Sequence, residues 1–374
     1  MTSSATAPRV VVWRSHLLPG SETFVRNQAD ALTTWRPSYL GAVRVASPLS
    51  RDTDVLAFGD GARGSRDLLA LKVTGRSGRL TRTLAALRPT VVHAHFGGDG
   101  WLVSRAAAAL GVPLVVTLHG QDVTRQPALP GLRGARQRRN LGEAFDRAAL
   151  VIAVSGFIRD RAVALGADPA KVRVHHIGVP VPAAPAAGPK RWDVAFVGRF
   201  VAKKGIDDLV EAVGLLAPER PRVVFIGSGP LEEPLRARAA HLGLDATFLG
   251  AQPPAEVARH LAASKLLAAP SKTAPDGDTE GLPTTVLEAA SLGLPVVSTY
   301  HSGIPEAVVH GETGLLGAEG DRHALAANIR RLLGDGTLRD RLGREGRRHV
   351  EDRFDLHAQT RRLERLYDDA VAAR

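Results

Sequence analysis

Along the first half of the chain, short apolar runs alternate with segments whose apolar residues recur at helical spacing. Runs at 10–13, 39–45, 55–58, 91–95, 114–118, 150–154 and 172–177 have the length of strands. Between them, Phe24, Val25, Gln28, Ala29 and Leu32 keep the helical period, as do segments 68–71, 80–87, 101–110 and 141–149. The strands are continuously apolar rather than alternating, so both faces of their sheet are covered, which points to a parallel sheet wound with helices. A Pro/Ala stretch at 180–189, PVPAAPAAGP, can be neither helix nor central strand. The same pattern then starts again. WDVAFVGRF, RVVFIGSGP, ATFLGAQ, KLLAAPS and PVVST read as strands, and 206–216, 231–242, 254–263, 285–292, 323–333 and 356–372 as helices. HGETG reads as a hairpin-like turn. The patterning predicts an α/β protein of two Rossmann-like, doubly wound domains, 1–182 and 183–350. A C-terminal helical segment, 351–374, is free to pack back on the first domain.

Ligands of such sheets bind outside the carboxyl ends of the strands. In the first domain those ends carry Gly20, which permits close backbone approach, then His93, His95 and Gly97-Gly98-Asp99, and then His119-Gly120-Gln121-Asp122. His93 and His95 share a strand face, but no carboxylate follows at ligand spacing, so no metal is expected there. His119 is either a capped loop histidine or a site residue at an open strand end; His95 and Asp99 are candidate acceptor contacts. In the second domain, Arg199 and Lys204 follow the first strand and suit a pair of phosphates, one as a forked donor and the other as a point charge. GSGP at 227–230 is only a fragment of a dinucleotide fingerprint.

The most informative stretch is TEGLPTTVLEA at 279–289. Glu280 precedes a helix, Glu288 sits one turn inside it, and Thr284-Thr285 offers N-cap chemistry between them. Free N–H groups at that helix start favour a diphosphate. A carboxylate on either side then matches a nucleotide-sugar, with the sugar by Glu280 and the ribose by Glu288. Asp276-Gly277-Asp278 could hold a divalent metal on such a diphosphate, but acidic turn residues are ordinary in a Pro/Gly loop, and no metal is expected.

Composition narrows the partners. The chain has 374 residues and no cysteine, which excludes disulfides and thiol chemistry. Arg14 breaks the apolar run near the amino terminus and no stretch is long enough to span a bilayer, so a cytoplasmic protein is expected. The net charge of +11 suits phosphorylated ligands, nucleic acid or an anionic surface. Aromatic residues make up only 5% and do not interleave with the basic segments, so nucleic acid is not expected. The most basic run, GLRGARQRRN, carries Arg133, Arg136, Arg138 and Arg139. It is either a solvated helix face or a peripheral contact with the inner membrane surface.

Taken in order, VGRFVAKKG, VVFIGSGP, FLG, the run APSKTAPDGDTEGLPTTVLEAASLGLPVVSTYHSGIPEAV and HGETGLL resemble the retaining glycosyltransferases of family 4. LPGSETFVRNQ, VVHAHFG and HGQDVT in the first half resemble an exopolysaccharide-type branch of that family. The resemblance implies the GT-B fold, two Rossmann-like domains facing a cleft, and hexosyl transfer from a nucleotide-sugar to a glycan, lipid-linked or small-metabolite acceptor. It implies that Glu280 meets the donor sugar and Glu288 the ribose. Arg199 and Lys204, with the backbone of Gly281, Leu282, Pro283 and Thr284, would hold the diphosphate. His119 would face the transferred sugar, Gly20 would lie beside the diphosphate, and the base would lie near Gly229 and Gln252. The family's usual Gly-Gly turn is Gly20-Ser21 in this chain. No metal is implied. A nucleotide-sugar epimerase of the same fold and an inactive membrane-associated partner are the alternative readings; the donor base, sugar and acceptor stay open.

Overall fold

The computed structural model describes residues 7–217 and 219–373. The chain divides into two compact units, one running to Gly178 and taking up the stretch from Leu356, the other Val179–Asp355. The first unit contains β1 (Arg9–Leu17), α1 (Thr23–Asp30), β2 (Arg36–Arg44), β3 (Val55–Leu56), α2 (Gly61–Thr74), α3 (Gly78–Ala86) and β4 (Val91–His95). It continues with α4 (Gly97–Ala109), β5 (Leu114–Leu118), α5 (Arg125–Ala128), α6 (Gly131–Arg147), β6 (Leu150–Ala153), α7 (Gly156–Ala164) and β7 (Val172–Val174). The second unit opens with β8 (Trp192–Val197), α8 (Ile206–Gly214), β9 (Val223–Ile226), α9 (Glu232–His241), β10 (Ala246–Phe248), α10 (Pro254–Ala262) and β11 (Ser264–Ala269). Then come α11 (Thr284–Ser291), β12 (Val296–Thr299), α12 (Ile304–Ala307), β13 (Gly314–Gly317), α13 (Arg322–Gly334) and α14 (Gly336–Arg353). The last helix, α15 (Leu356–Ala372), belongs to the first unit.

Both sheets are parallel throughout. The first has seven strands in the order β3-β2-β1-β4-β5-β6-β7, and the second six in the order β10-β9-β8-β11-β12-β13. The strand order reverses direction between β1 and β4 in the first sheet and between β8 and β11 in the second. In such sheets ligands bind at that switch point, outside the carboxyl ends of the strands. Val194, Phe196, Val223, Phe225 and Leu266 bury one face of the second sheet against Leu209, Val213 and Ile329. In the first sheet Val10, Val91, Val115 and Ile152 pack against Leu363, Tyr367 and Ala370 of α15.

Several sequence expectations change here. α4 starts at Gly97, four residues before the apolar period becomes visible, because Phe96 at φ +71° turns the chain straight from β4 into the helix. Gly97-Gly98-Asp99 is therefore a first helical turn rather than a loop. A Cβ on Gly97 would stand 2.4 Å from Leu141 Cδ1, so any larger residue there would have to displace that side chain of α6. α6 likewise begins ten residues before 141 and takes in the basic run. β13 pairs in parallel with β12, so HGETG leads into a strand instead of closing a hairpin. α14 escaped the periodicity because charged residues dominate it and only Leu338, Leu342 and Val350 supply buried apolar side chains. The Pro/Ala stretch is no loose tether. Val179 N–H bonds Phe354 O at 2.8 Å, Ala186 N–H bonds Leu292 O at 2.9 Å, and Arg347 donates to Pro182 O.

Candidate active site

In the second unit that switch point lies where β8 and β11 leave the sheet. After β8 the backbone runs through Gly198-Arg199-Phe200 into a short 3-10 turn, Ala202–Lys204, and then α8. Arg199 is exposed and, among the described residues, makes no ion pair or side-chain hydrogen bond. Lys203 points inward and donates to Asp278 Oδ1 at 3.0 Å and Thr279 O at 3.1 Å, which fastens the β11 exit loop to the β8 exit. Lys204, one residue on, brings its Nζ to 3.1 Å from Glu280 Oε1, an ion pair without the alignment of a hydrogen bond. Adjacent lysines thus point to two neighbouring carboxylates, and Asp278 is occupied by an ammonium group. Gly205 in the left-handed region, φ +62°, then turns the chain into α8.

Burial alone would raise the Glu280 carboxyl, but Lys204 and Lys203 outweigh it and hold the group below the usual carboxylate range. Glu288 responds in the opposite direction. Burial raises its carboxyl, and a Thr284 hydroxyl bond and the more distant Lys204 only partly offset this. The pair flanking the helix start is therefore electrostatically unequal.

The N-cap of α11 is Pro283, which supplies no side-chain cap, and Thr284 is already the first helical residue. Thr284 spends its hydroxyl on Glu288 instead of capping, contrary to the sequence expectation. Val286 N–H bonds Pro283 O at 3.2 Å, and the first two N–H groups of the helix, with no i−4 acceptor and no side-chain cap, face outward from its start. The turn carrying Gly229 packs on the β8 exit: Phe200 N–H bonds Ser228 O, and a Cβ on Gly229 would come within 2.5 Å of Phe200 O. Gly229 is thus required by backbone packing. Gln252 folds its amide onto Leu249 O at 2.7 Å.

Residues that the sequence left without a role hold Glu280 in place. Its N–H donates to His301 Nε2 at 3.1 Å, and its carbonyl accepts from Ser302 Oγ at 2.5 Å. His301 Nδ1 lies 2.6 Å from Glu319 Oε1. His301 and Ser302 follow strand β12, so the strand-end rule marks their position, whereas Glu319 follows the strand that was read as a turn.

In the first unit, His119 leaves β5 half-buried, with Phe24 and Phe96 rings 5.0 and 4.5 Å from its own. Its Nε2 is 3.0 Å from His95 Nδ1, and His93 Nδ1 is 2.7 Å from Tyr367 Oη. Asp122 gathers the N–H groups of Gly97, His119 and Gly120, tying the β4 and β5 exits together. Arg14 forks onto Glu22 at 2.7 and 2.5 Å and also pairs with Asp99, which takes the Ser15 N–H at 2.8 Å. His95 and Asp99, expected to touch an acceptor, are both buried and spend their polar atoms on neighbours. Gly20 has an ordinary φ, and the nearest atom to an added Cβ is a Pro48 ring carbon at 3.4 Å, so the fold itself does not require glycine there.

Burial pushes His93 down to about 3 and His175 down to about 4 and lowers His95 and His119 well below the ordinary value, so all four imidazoles are neutral in the native state. Between the unfolded value near 6.5 and these folded values, the unfolded chain binds more protons. Stability should therefore be complete above pH 6.5 and fall on acidification toward pH 4. Each such histidine contributes a slope of up to about 1.4 kcal/mol per pH unit. Denaturant midpoints at pH 7.5 and pH 5.0 test this; equal midpoints would contradict it.

The Arg133, Arg136, Arg138 and Arg139 side chains all lie exposed on α6, where Arg138 donates to Pro127 O, Arg139 pairs with Glu143, and Leu132 beside them is 90% exposed. No helix among the described residues is long and apolar enough to cross a membrane.

Known proteins match this chain along nearly its whole length. The family described as glycosyl transferases group 1 matches residues 182–349, and the one described as glycosyltransferase family 4 matches residues 20–181. The amylovoran biosynthesis glycosyltransferase AmsK of Erwinia amylovora is 30% identical over 73% of this chain and 69% of its own length. A D-inositol 3-phosphate glycosyltransferase of Jonesia denitrificans is 31% identical over 78% and 75%. Among solved structures, sucrose-phosphate synthase of Thermosynechococcus elongatus superimposes with a TM-score of 0.78 at 21% identity, covering 98% of this chain and 100% of that one. Anabaena HepE in complex with UDP gives 0.77 at 19% identity, covering 97% and 100%. The parallel sheets, the ordered motifs and these matches together establish that the chain belongs to glycosyltransferase family 4 and is a glycosyltransferase of the GT-B fold.

Proposed function

We propose that this enzyme transfers a hexosyl group, with retention of anomeric configuration, from a nucleoside-diphosphate sugar to a polysaccharide precursor. The observation that carries this reading is the exit of β8, where an unpaired Arg199 and the Lys204–Glu280 ion pair stand before a helix start with no side-chain cap. The relative named for amylovoran biosynthesis supports the acceptor class, and the UDP complex of HepE supports the donor class.

In the proposed reaction the diphosphate lies against the N–H groups of Leu282 and Thr284, with Arg199 and Lys204 on its oxygens. As the sugar C1–O bond breaks, negative charge collects on the diphosphate and these preorganised groups meet it. Glu280, ionised at neutral pH, accepts hydrogen bonds from sugar hydroxyls, and Glu288 accepts from the ribose. The acceptor oxygen attacks from the face the diphosphate leaves, forms the new C1–O bond and gives its proton to a departing phosphate oxygen. The turns at Gly229 and Gln252 complete the proposed donor contacts. The cations supply the charge, so the scheme uses no metal; Lys203 on Asp278 supports that.

The experiment is a screen of UDP-, GDP- and dTDP-sugars for hydrolysis, with the anomer of the first-formed product read by NMR. One donor should turn over with retention; an inverted product would overturn the stereochemical part, and no turnover with any donor the whole reading.

We also propose that α6 touches anionic lipid through Arg133, Arg136 and Leu132. Removing both arginines should weaken binding to anionic vesicles by about 30-fold, at roughly 1 kcal/mol per basic residue. Equal binding to neutral vesicles would contradict it.

A further inference from the structure

The backbone at Glu280 is held from two sides by a segment to which the proposed reaction gives no role. An amide N–H can only donate, so the Glu280 N–H at 3.1 Å from His301 Nε2 requires a lone pair on that nitrogen. A neutral imidazole with a bare Nε2 carries its proton on Nδ1, and Nδ1 lies 2.6 Å from Glu319 Oε1. The other Glu319 oxygen accepts the Thr273 N–H at 2.7 Å, which fixes the carboxylate in turn. Ser302 completes the grip. Its Oγ donates to Glu280 O at 2.5 Å from a backbone held at φ +50°, a conformation a non-glycine residue adopts only under constraint. His301 is 2% exposed, so no water competes for Nε2.

We propose that His301, oriented by Glu319, together with Ser302, positions Glu280 for transfer. A proton on Nε2 would set two donors against each other and release the Glu280 amide. This proposal rests on the donor-sugar role given to Glu280 above.

Two variants separate positioning from mere packing. His301→Leu removes the acceptor, and His301→Gln replaces it with a carbonyl of similar reach. With the donor found by the screen, His301→Leu should lower kcat about 100-fold, the loss expected from a displacement of about 1 Å, while affinity for that donor's nucleoside diphosphate stays within about threefold. His301→Gln should recover to within about fivefold of wild type, because its carbonyl can still accept the Glu280 N–H. Ring 15N spectra of the full chain should show one histidine in the Nδ1–H tautomer that is absent from His301→Gln. Its tautomer should become mixed in Glu319→Ala. Equal losses in the Leu and Gln variants, wild-type turnover in the Leu variant, or an Nε2–H tautomer would each overturn the proposal. If His301→Leu fails to fold, the Gln variant and the spectra still decide it. An inactive Glu280→Gln beside a fully active His301→Leu sinks this inference alone. A fully active Glu280→Gln sinks the role of Glu280 instead, and the tautomer measurement is unaffected.

Discussion

Arg199→Ala should lower glycosyl transfer by about 10²–10³-fold, the cost of removing one preorganised donor from a developing oxyanion. Its stability should stay within about 0.5 kcal/mol of wild type, because the side chain is exposed and makes no ion pair or side-chain hydrogen bond among the described residues. That combination is diagnostic. An exposed, unpaired arginine contributes nothing measurable to a fold, so a large kinetic loss must come from a ligand that it meets. Glu280→Gln is the companion variant. It keeps the volume and removes the charge, so turnover should fall by about 10²-fold, while nucleoside-diphosphate binding holds or tightens because Lys204 is no longer shared with a carboxylate. Initial rates together with denaturant midpoints check both. Near-normal turnover in both variants would end the assignment of this site.

Gly205→Ala should be the most destabilising single change near the site. Gly205 sits at φ +62°, and a Cβ there would stand 1.8 Å from Pro270 O, which is backbone and cannot swing aside. Left-handed strain costs about 1–2 kcal/mol and forced overpacking about 1–3 kcal/mol, so roughly 3 kcal/mol is expected. For a unit of this size that is a fall of about 6–12 °C in Tm. The clash also pushes the β8 exit from the β11 exit, so Lys204 and Glu280 should part and activity should fall with stability. Gly243 provides the control. It shares a positive φ, +65°, but an added Cβ meets nothing within 4 Å, so Gly243→Ala should pay the strain alone. Equal melting temperatures for the two variants would show that the contact at Pro270 is soft.

The sequence made much of this legible for a physical reason. Strands buried on both faces are written as continuous apolar runs, so β1, β4, β5, β8, β9 and β12 stand out, and the strand-end rule then leads to Arg199, Lys204 and His119 without reference to any relative. What it hid is equally physical. β13 begins with Gly314 beside a Gly-rich turn, so the strand and the Glu319 that follows it read as loop. α14 spends most of its positions on charge. The start of α4 depends on one residue, Phe96, in a strained conformation that residue type does not announce. Side-chain competition was also out of reach. Thr284 could cap a helix or serve Glu288, Asp278 could bind a metal or Lys203, and His95 could meet an acceptor or His119. Only the three-dimensional neighbours decide among these.

The central claim is that the β8 exit and the start of α11 hold the diphosphate of a nucleotide donor. Calorimetric titration of UDP, GDP and dTDP into the wild type and into Arg199→Ala tests it most directly. The account predicts that one of them binds the wild type with measurable heat and that Arg199→Ala weakens it at least tenfold, the cost of about 1.4 kcal/mol of lost charge-assisted bonding. Binding of equal strength in the two proteins, or no binding of any of the three to the wild type, would contradict it.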